Sequence, residues 1–184
     1  MQLLPTTIEG AYLVQTETLE DERGFFLETY RQSAIEDGTG RRYRFAQGNH
    51  SRSARGTLRG FRTEPWDKLI YVAHGTALIV VADTRPDSSG FLRHETFLIG
   101  DPPGRRLRVL VTRGLSNAFY CLTEVDYIND VSGEYQPQVR RGFRWDDPDI
   151  AVDWPDPAPI LSAADRTLPS LRRMLAETEA PPTA

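Results

Sequence analysis

The sequence predicts an all-β sandwich or barrel with a few short helices, one of them near the C-terminus. Two observations carry this prediction. Short runs rich in β-branched and aromatic residues recur roughly every eight to twelve residues, separated by clusters of Gly, Pro, Asp and Ser. Helical periodicity is confined to brief stretches. With 184 residues, 39% of them hydrophobic, the chain can bury the core of one domain, assigned to 1–178, with 179–184 as a disordered tail.

Each element has a local reason. Residues 1–20 alternate apolar and polar in bursts, Leu3-Leu4 and then Ala11-Tyr12-Leu13-Val14, as strands with one wet face do. Asp21-Glu22-Arg23-Gly24 is a turn signature, because glycine tolerates positive φ, and a strand leaves it over Phe25 to Tyr30. Arg31 to Asp37 read as a short helix closed by Gly38 and Gly40. Tyr43 to Ser53 alternate again, with Phe45 and Gln47 on one face and Ala46 on the other. Leu69 to Asp83 read as two β-branched strands joined by a tight turn at His74-Gly75. Asp87-Ser88-Ser89-Gly90 is a turn before a strand over Phe91 to Leu98. Asp101-Pro102-Pro103-Gly104 excludes a regular element, and strands follow over Leu107 to Val111, Ala118 to Leu122 and Val125 to Val131. Trp145 to Pro157 form a proline-rich surface loop. Ser162-Ala163-Ala164-Asp165 is a capping box that predicts a helix to about Leu175, with Leu168, Leu171 and Leu175 on one side.

Composition narrows the function. A formal net charge of -4 supplies no basic excess for a phosphate backbone, so nucleic acid is not an expected partner. Cys121 is the single cysteine, which excludes an intrachain disulfide and a cysteine-based metal site and points to a reducing compartment. No charged-then-apolar leader opens the sequence, and no apolar run reaches the roughly 18 residues of a membrane span. A cytoplasmic protein without a membrane partner is expected.

Several blocks, in fixed order, carry a more specific signal. Asp21-Glu22-Arg23-Gly24-Phe25-Phe26-Leu27-Glu28-Thr29-Tyr30, Gln47-Gly48-Asn49-His50-Ser51, Gly56-Thr57-Leu58-Arg59-Gly60, Lys68-Leu69, Trp145-Asp146-Asp147-Pro148, Trp154-Pro155 and Leu161-Ser162-Ala163-Ala164-Asp165 together resemble the dTDP-4-dehydrorhamnose 3,5-epimerases, over about residues 10–170. The resemblance implies a double-stranded β-helix of the cupin or jelly-roll type, a homodimer, no cofactor and no metal, and a dTDP-linked 4-keto-6-deoxy sugar as substrate. The implied chemistry is enolisation: a base takes a proton beside the keto group, a cation steadies the oxyanion, and an acid returns a proton on the other face.

Residue by residue, the resemblance places Arg23, Glu28, Gln47, Asn49 and Arg59 on nucleotide and sugar, and Asn117 where the family has a second histidine. It places Lys68 near the keto oxygen, Tyr127 as the acid and Asp165 as the group that orients the base. The base histidine itself is missing. Its block reads Arg59-Gly60-Phe61-Arg62-Thr63-Glu64, with Arg62 at the histidine position, and the Glu64 to Lys68 connection is shorter than the family's. His50, His74 and His94 match neither histidine position.

Arginine stays protonated and offers no acceptor, so Arg62 cannot be the base. Losing a positioned base typically costs roughly 10²–10⁴ in rate. Glu64, two residues on, shares Arg62's face if the strand is regular and is a substitute base; a Tyr127 phenolate is the other. Arg62 and Asp165 are also a candidate structural ion pair, and Asp165 is equally explained as a helix-capping carboxylate. Two functions follow: an epimerase with altered or restricted activity, or a non-catalytic sugar-nucleotide-binding protein. A metal-dependent cupin is disfavoured, since the strands lack a cluster of His and carboxylate ligands.

Overall fold

A computed structural model describes residues 1–102, 104–139 and 141–179. Its strands are β1 (Gln2–Pro5), β2 (Ala11–Gln15), β3 (Thr18–Asp21), β4 (Gly24–Leu27), β5 (Gln47–Ser53), β6 (Leu58–Thr63), β7 (Lys68–His74), β8 (Thr76–Asp83), β9 (His94–Gly100), β10 (Arg108–Val111), β11 (Leu115–Cys121) and β12 (Val125–Val131). The helices are α1 (Gln32–Thr39), α2 (Ala163–Arg166) and α3 (Leu171–Glu179). Six strands pair in the order β1-β2-β10-β7-β12-β5 and four in the order β6-β11-β8-β9, while β3 and β4 form a separate hairpin. The two sheets face each other as a cupin-type jelly roll.

Strand alternation sorts the side chains into layers. Ile70, Val72, Ile79, Val81, Val109, Phe119, Val125 and Tyr127 fill the space between the sheets. The outer face of the four-stranded sheet is covered by the C-terminal segment, where Phe61, Val80 and Ala118 meet Phe143, Ile150, Leu171 and Met174. Across the six-stranded sheet, Val14, Leu69 and Leu110 pack under Ile35 of α1 and under Tyr43. Burying one such aliphatic side chain contributes about 1.5–3 kcal/mol.

The structure corrects several local expectations. Lys68–His74 and Thr76–Asp83 are strands, yet they do not pair with each other: β7 joins β10 and β12, and β8 joins β9 and β11. The turn at Gly75 passes the chain from one sheet to the other. Gly75 has φ +81°, and a Cβ there would lie 1.8 Å from the Glu124 carbonyl oxygen, so only glycine fits. The strand expected from Tyr43 begins at Gln47, and the one expected from Phe91 begins at His94. Ser162 does cap a helix, but it ends at Arg166; Pro169 disfavours helical geometry at Leu168 and separates α2 from α3. Within the proline-rich loop Asp147 is buried, and its Oδ2 accepts the Leu171 N–H at 2.8 Å, tying the loop to the start of α3. Glu179 closes α3, and the rest of the predicted tail lies outside the described residues.

Candidate active site

One end of the space between the sheets is polar. Lys68 opens β7 on the face that carries Ile70 and Val72, so the pleat turns its side chain inward, where it is 4% exposed. Asn117 and Phe119 on β11, and Tyr127 and Asn129 on β12, reach the same place by the same period of two. Phe119 and Tyr127 stack across the gap between sheets, ring centroids 4.1 Å apart and nearly parallel. β6 breaks the period usefully. Asn117 is opposite Arg62 and Phe119 is opposite Arg59, so Gly60 and Phe61 together face Ala118 alone. This bulge lets Arg59 and Arg62, three apart, both line the chamber while Phe61 turns outward to stack on Phe143. Gly60 permits it: its φ is +119°, and a Cβ there would meet the Ala118 Cβ at 2.7 Å.

The resulting inner chamber, about 210 Å³, holds Arg62, Glu64, Lys68, Asn117, Tyr127 and Asp165 around one space. Among the described residues, two ion pairs line it. Arg62 binds Asp165 Oδ1, while Asp165 Oδ2 accepts the Ser162 hydroxyl at 2.7 Å. The carboxylate expected to orient a base is thus both arginine partner and partner of the Ser162 hydroxyl that caps α2 by accepting the Asp165 N–H at 3.0 Å. Lys68 Nζ lies 2.7 Å from Glu64 Oε2 and donates to Asn117 Oδ1 at 2.6 Å. Trp66 Nε1–H donates to the same Glu64 oxygen at 3.1 Å.

Burial shapes the proton affinities. Lys68 is pushed below the ordinary lysine range by burial, with Arg62 adding to the effect and Glu64 opposing it. A lysine that holds its proton less tightly is a stronger donor to an oxygen gaining charge. Tyr127 is pushed above the ordinary phenol range by burial and by the Glu64 charge, with Asn117 opposing. That keeps its proton in place, as an acid requires, and speaks against a phenolate base.

An outer chamber of about 400 Å³ shares Arg59, Glu64, Phe119, Tyr127 and Asn129 with the inner one and adds Gln47, Asn49, His50, Ser51, Trp66, Val131 and Tyr135. Arg59 stands between the two, its Nε donating to Ser53 Oγ at 3.0 Å. The structure therefore brings together Arg62, Glu64, Lys68, Asn117, Tyr127, Asp165, Gln47, Asn49 and Arg59. It does not bring Arg23 or Glu28 to either chamber. Arg23 sits on the β3–β4 hairpin, paired with Asp21, and Glu28 pairs with Arg31 at 3.0 Å. Trp66, Phe119, Asn129 and Tyr135 also line the chambers, though no motif marks them, and Ser162, expected only as a helix cap, lines the inner one. Phe119 and Asn129 were accessible to reasoning, lying two residues from Asn117 and Tyr127 on their strands. Trp66 and Tyr135 lie outside the strands, where no periodicity applies. His50, which matches neither family histidine position, lines the outer chamber and meets Asp126 at 3.1 Å.

Known proteins resemble this chain in sequence and in fold. Residues 5–173 match the family model for dTDP-4-dehydrorhamnose 3,5-epimerase. The chain is 33% identical over 179 residues to the dTDP-4-dehydrorhamnose 3,5-epimerase of Methanothermobacter thermautotrophicus, covering 93% of this chain and 95% of that one. In structure it is similar to the rmlC epimerase of Mycobacterium tuberculosis, with a TM-score of 0.92 and 29% identity over 98% of this chain and 94% of that one. It is also similar to ChmJ, a 3'-monoepimerase from Streptomyces bikiniensis solved with dTDP-quinovose, with a TM-score of 0.87 and 30% identity over 95% and 90% of the two chains.

Proposed function

Because this chain belongs to the dTDP-4-dehydrorhamnose 3,5-epimerase family, we propose that it is an isomerase of deoxysugar biosynthesis that inverts carbon beside the keto group of a dTDP-linked 4-keto-6-deoxy sugar, with Glu64 as its base. The nucleotide lies along Gln47, Asn49 and Arg59 in the outer chamber, and the sugar enters the inner one. One observation carries the assignment of roles. Lysine has three donors, and Lys68 uses two of them, on Glu64 Oε2 and Asn117 Oδ1. The third is available to the keto oxygen, while Glu64 Oε1 has no hydrogen-bond partner among the described residues and is available to a proton.

The steps follow from that inventory. Glu64 takes the proton from the carbon beside the carbonyl, and the C–H electron pair moves into the enolate with its charge on the keto oxygen. Negative charge thereby leaves the carboxylate and appears on an oxygen that also faces Lys68, so the ammonium stabilises the charge before and after transfer. Tyr127 returns a proton from its own side of the sugar, and solvent resets both groups. Arg62 is a structural cation, anchored by Asp165.

Solvent-deuterium incorporation into dTDP-4-keto-6-deoxyglucose tests the reading. Deuterium at one carbon identifies a restricted epimerase, and at both a full one. Incorporation at neither, with dTDP still bound, would show a binding protein instead.

Homodimerisation and a cytoplasmic location belong to the same proposal. Leu19, Phe25 and Phe26 on the β3–β4 hairpin are 55%, 50% and 69% exposed, an apolar surface suited to a second copy. Light scattering at the dimer mass is the expected result. Among the described residues no helix is long and apolar enough to cross a membrane.

A further inference from the structure

The four-residue connector Glu64-Pro65-Trp66-Asp67 does more than join β6 to β7. Its tryptophan is buried, and both the indole and the residue after it are held in place. Gly133 packs against the ring so closely that a Cβ there would lie 2.9 Å from Trp66 Cε3. The next residue, Asp67, is clamped by Arg113, whose backbone N–H and Nη2 donate to its carboxylate at 2.9 and 3.0 Å, and by Ser132, whose Oγ accepts the Asp67 N–H at 2.8 Å. A ring so fixed delivers its N–H to one point, Glu64 Oε2. Tryptophan is a donor only, so that bond cannot reverse.

A carboxylate held by a single cation can rotate and exchange its two oxygens. Lys68 and Trp66 both donate to Oε2, which tethers that oxygen at two donors and leaves Oε1 without a partner among the described residues. The indole adds this constraint without adding charge. We propose that Trp66 is a positioning residue, whose indole N–H holds the Glu64 carboxylate so that Oε1 meets the substrate C–H. This rests on the reading of Glu64 as base.

The test deletes the N–H alone. β-(3-Benzothienyl)alanine at position 66 keeps the bicyclic shape, and Trp66→Phe removes the donor with some ring volume. Deuterium incorporation into dTDP-4-keto-6-deoxyglucose at saturation is expected to fall about tenfold in both, the effect of losing one charge-assisted hydrogen bond, with half-saturation unchanged. Wild-type exchange in the isostere overturns the positioning role; so does a fall matched by an equal loss of affinity. Glu64→Gln separates the two claims: if it exchanges like the wild type, Glu64 is not the base and the reading fails at its root. Independently of turnover, the Trp66 indole N–H proton resonance, one of three tryptophan signals, is expected to move upfield in Glu64→Gln as the charge on its acceptor disappears. An unmoved resonance means the bond is absent and overturns the inference.

Discussion

The two ion pairs of the inner chamber sit side by side but differ in what they leave over. In Arg62–Asp165 both carboxylate oxygens are engaged, one by the guanidinium and one by Ser162, and the aspartate also belongs to the cap of α2. In Lys68–Glu64 one ammonium donor and one carboxylate oxygen have no partner among the described residues. The first pair is therefore suited to holding structure, and the second to receiving a keto oxygen and a proton. On the proposed reading, the acid-base task falls to Glu64, two residues beyond Arg62 and lining the same chamber.

That contrast can be broken most directly at Lys68. Lys68→Met should lower deuterium exchange by roughly 10³-fold. It should also destabilise the fold by about 3–5 kcal/mol, because Glu64 loses its buried cation. Denaturant titration beside the exchange assay measures both, and retention of exchange would remove lysine from the mechanism. Tyr127→Phe comes next: inversion should slow about 10²-fold while deuterium still enters with retention, since abstraction does not need the phenol. The same variant has a pH signature. The folded protein holds the Tyr127 proton more tightly than the unfolded chain does. That contribution to stability is complete below about pH 10 and declines as the pH rises through that point. Tyr127→Phe should therefore show a flatter alkaline limb in thermal denaturation.

Smaller effects are expected at the closed pair. Arg62→His should change exchange by less than about tenfold near neutral pH while adding a limb near pH 6.5 from the imidazole. Its stability cost should be about 1–3 kcal/mol, since Asp165 exchanges a guanidinium for a weaker partner. A large gain in activity would mean that Arg62 had been the lesion, and Glu64 a bystander. Ser162→Ala should do least, costing about 1 kcal/mol through the lost cap and leaving exchange unchanged. A marked kinetic defect there would show that Asp165 serves the chemistry after all.

The amino-acid order alone carried the all-β character, most strand positions, the Ser162 cap and the family, because these depend on periodicity, turn residues and blocks readable along the chain. It also carried Lys68, Glu64, Asn117, Tyr127 and Asp165 as a set, and showed that Arg62 cannot accept a proton. Which oxygen of Glu64 has no partner among the described residues, and that Arg62 and Asp165 close on each other, required the folded molecule. Both depend on residues distant in sequence: Asp165 comes from α2 to meet β6, and Tyr127 meets Phe119 across two sheets. The passage at Gly75 is the same lesson at the level of the fold. A tight turn between two apolar strands reads as a hairpin locally, and only the pairing partners of each strand show that it links two sheets. Long-range pairing is chosen by the packing of the whole core, which no local window contains.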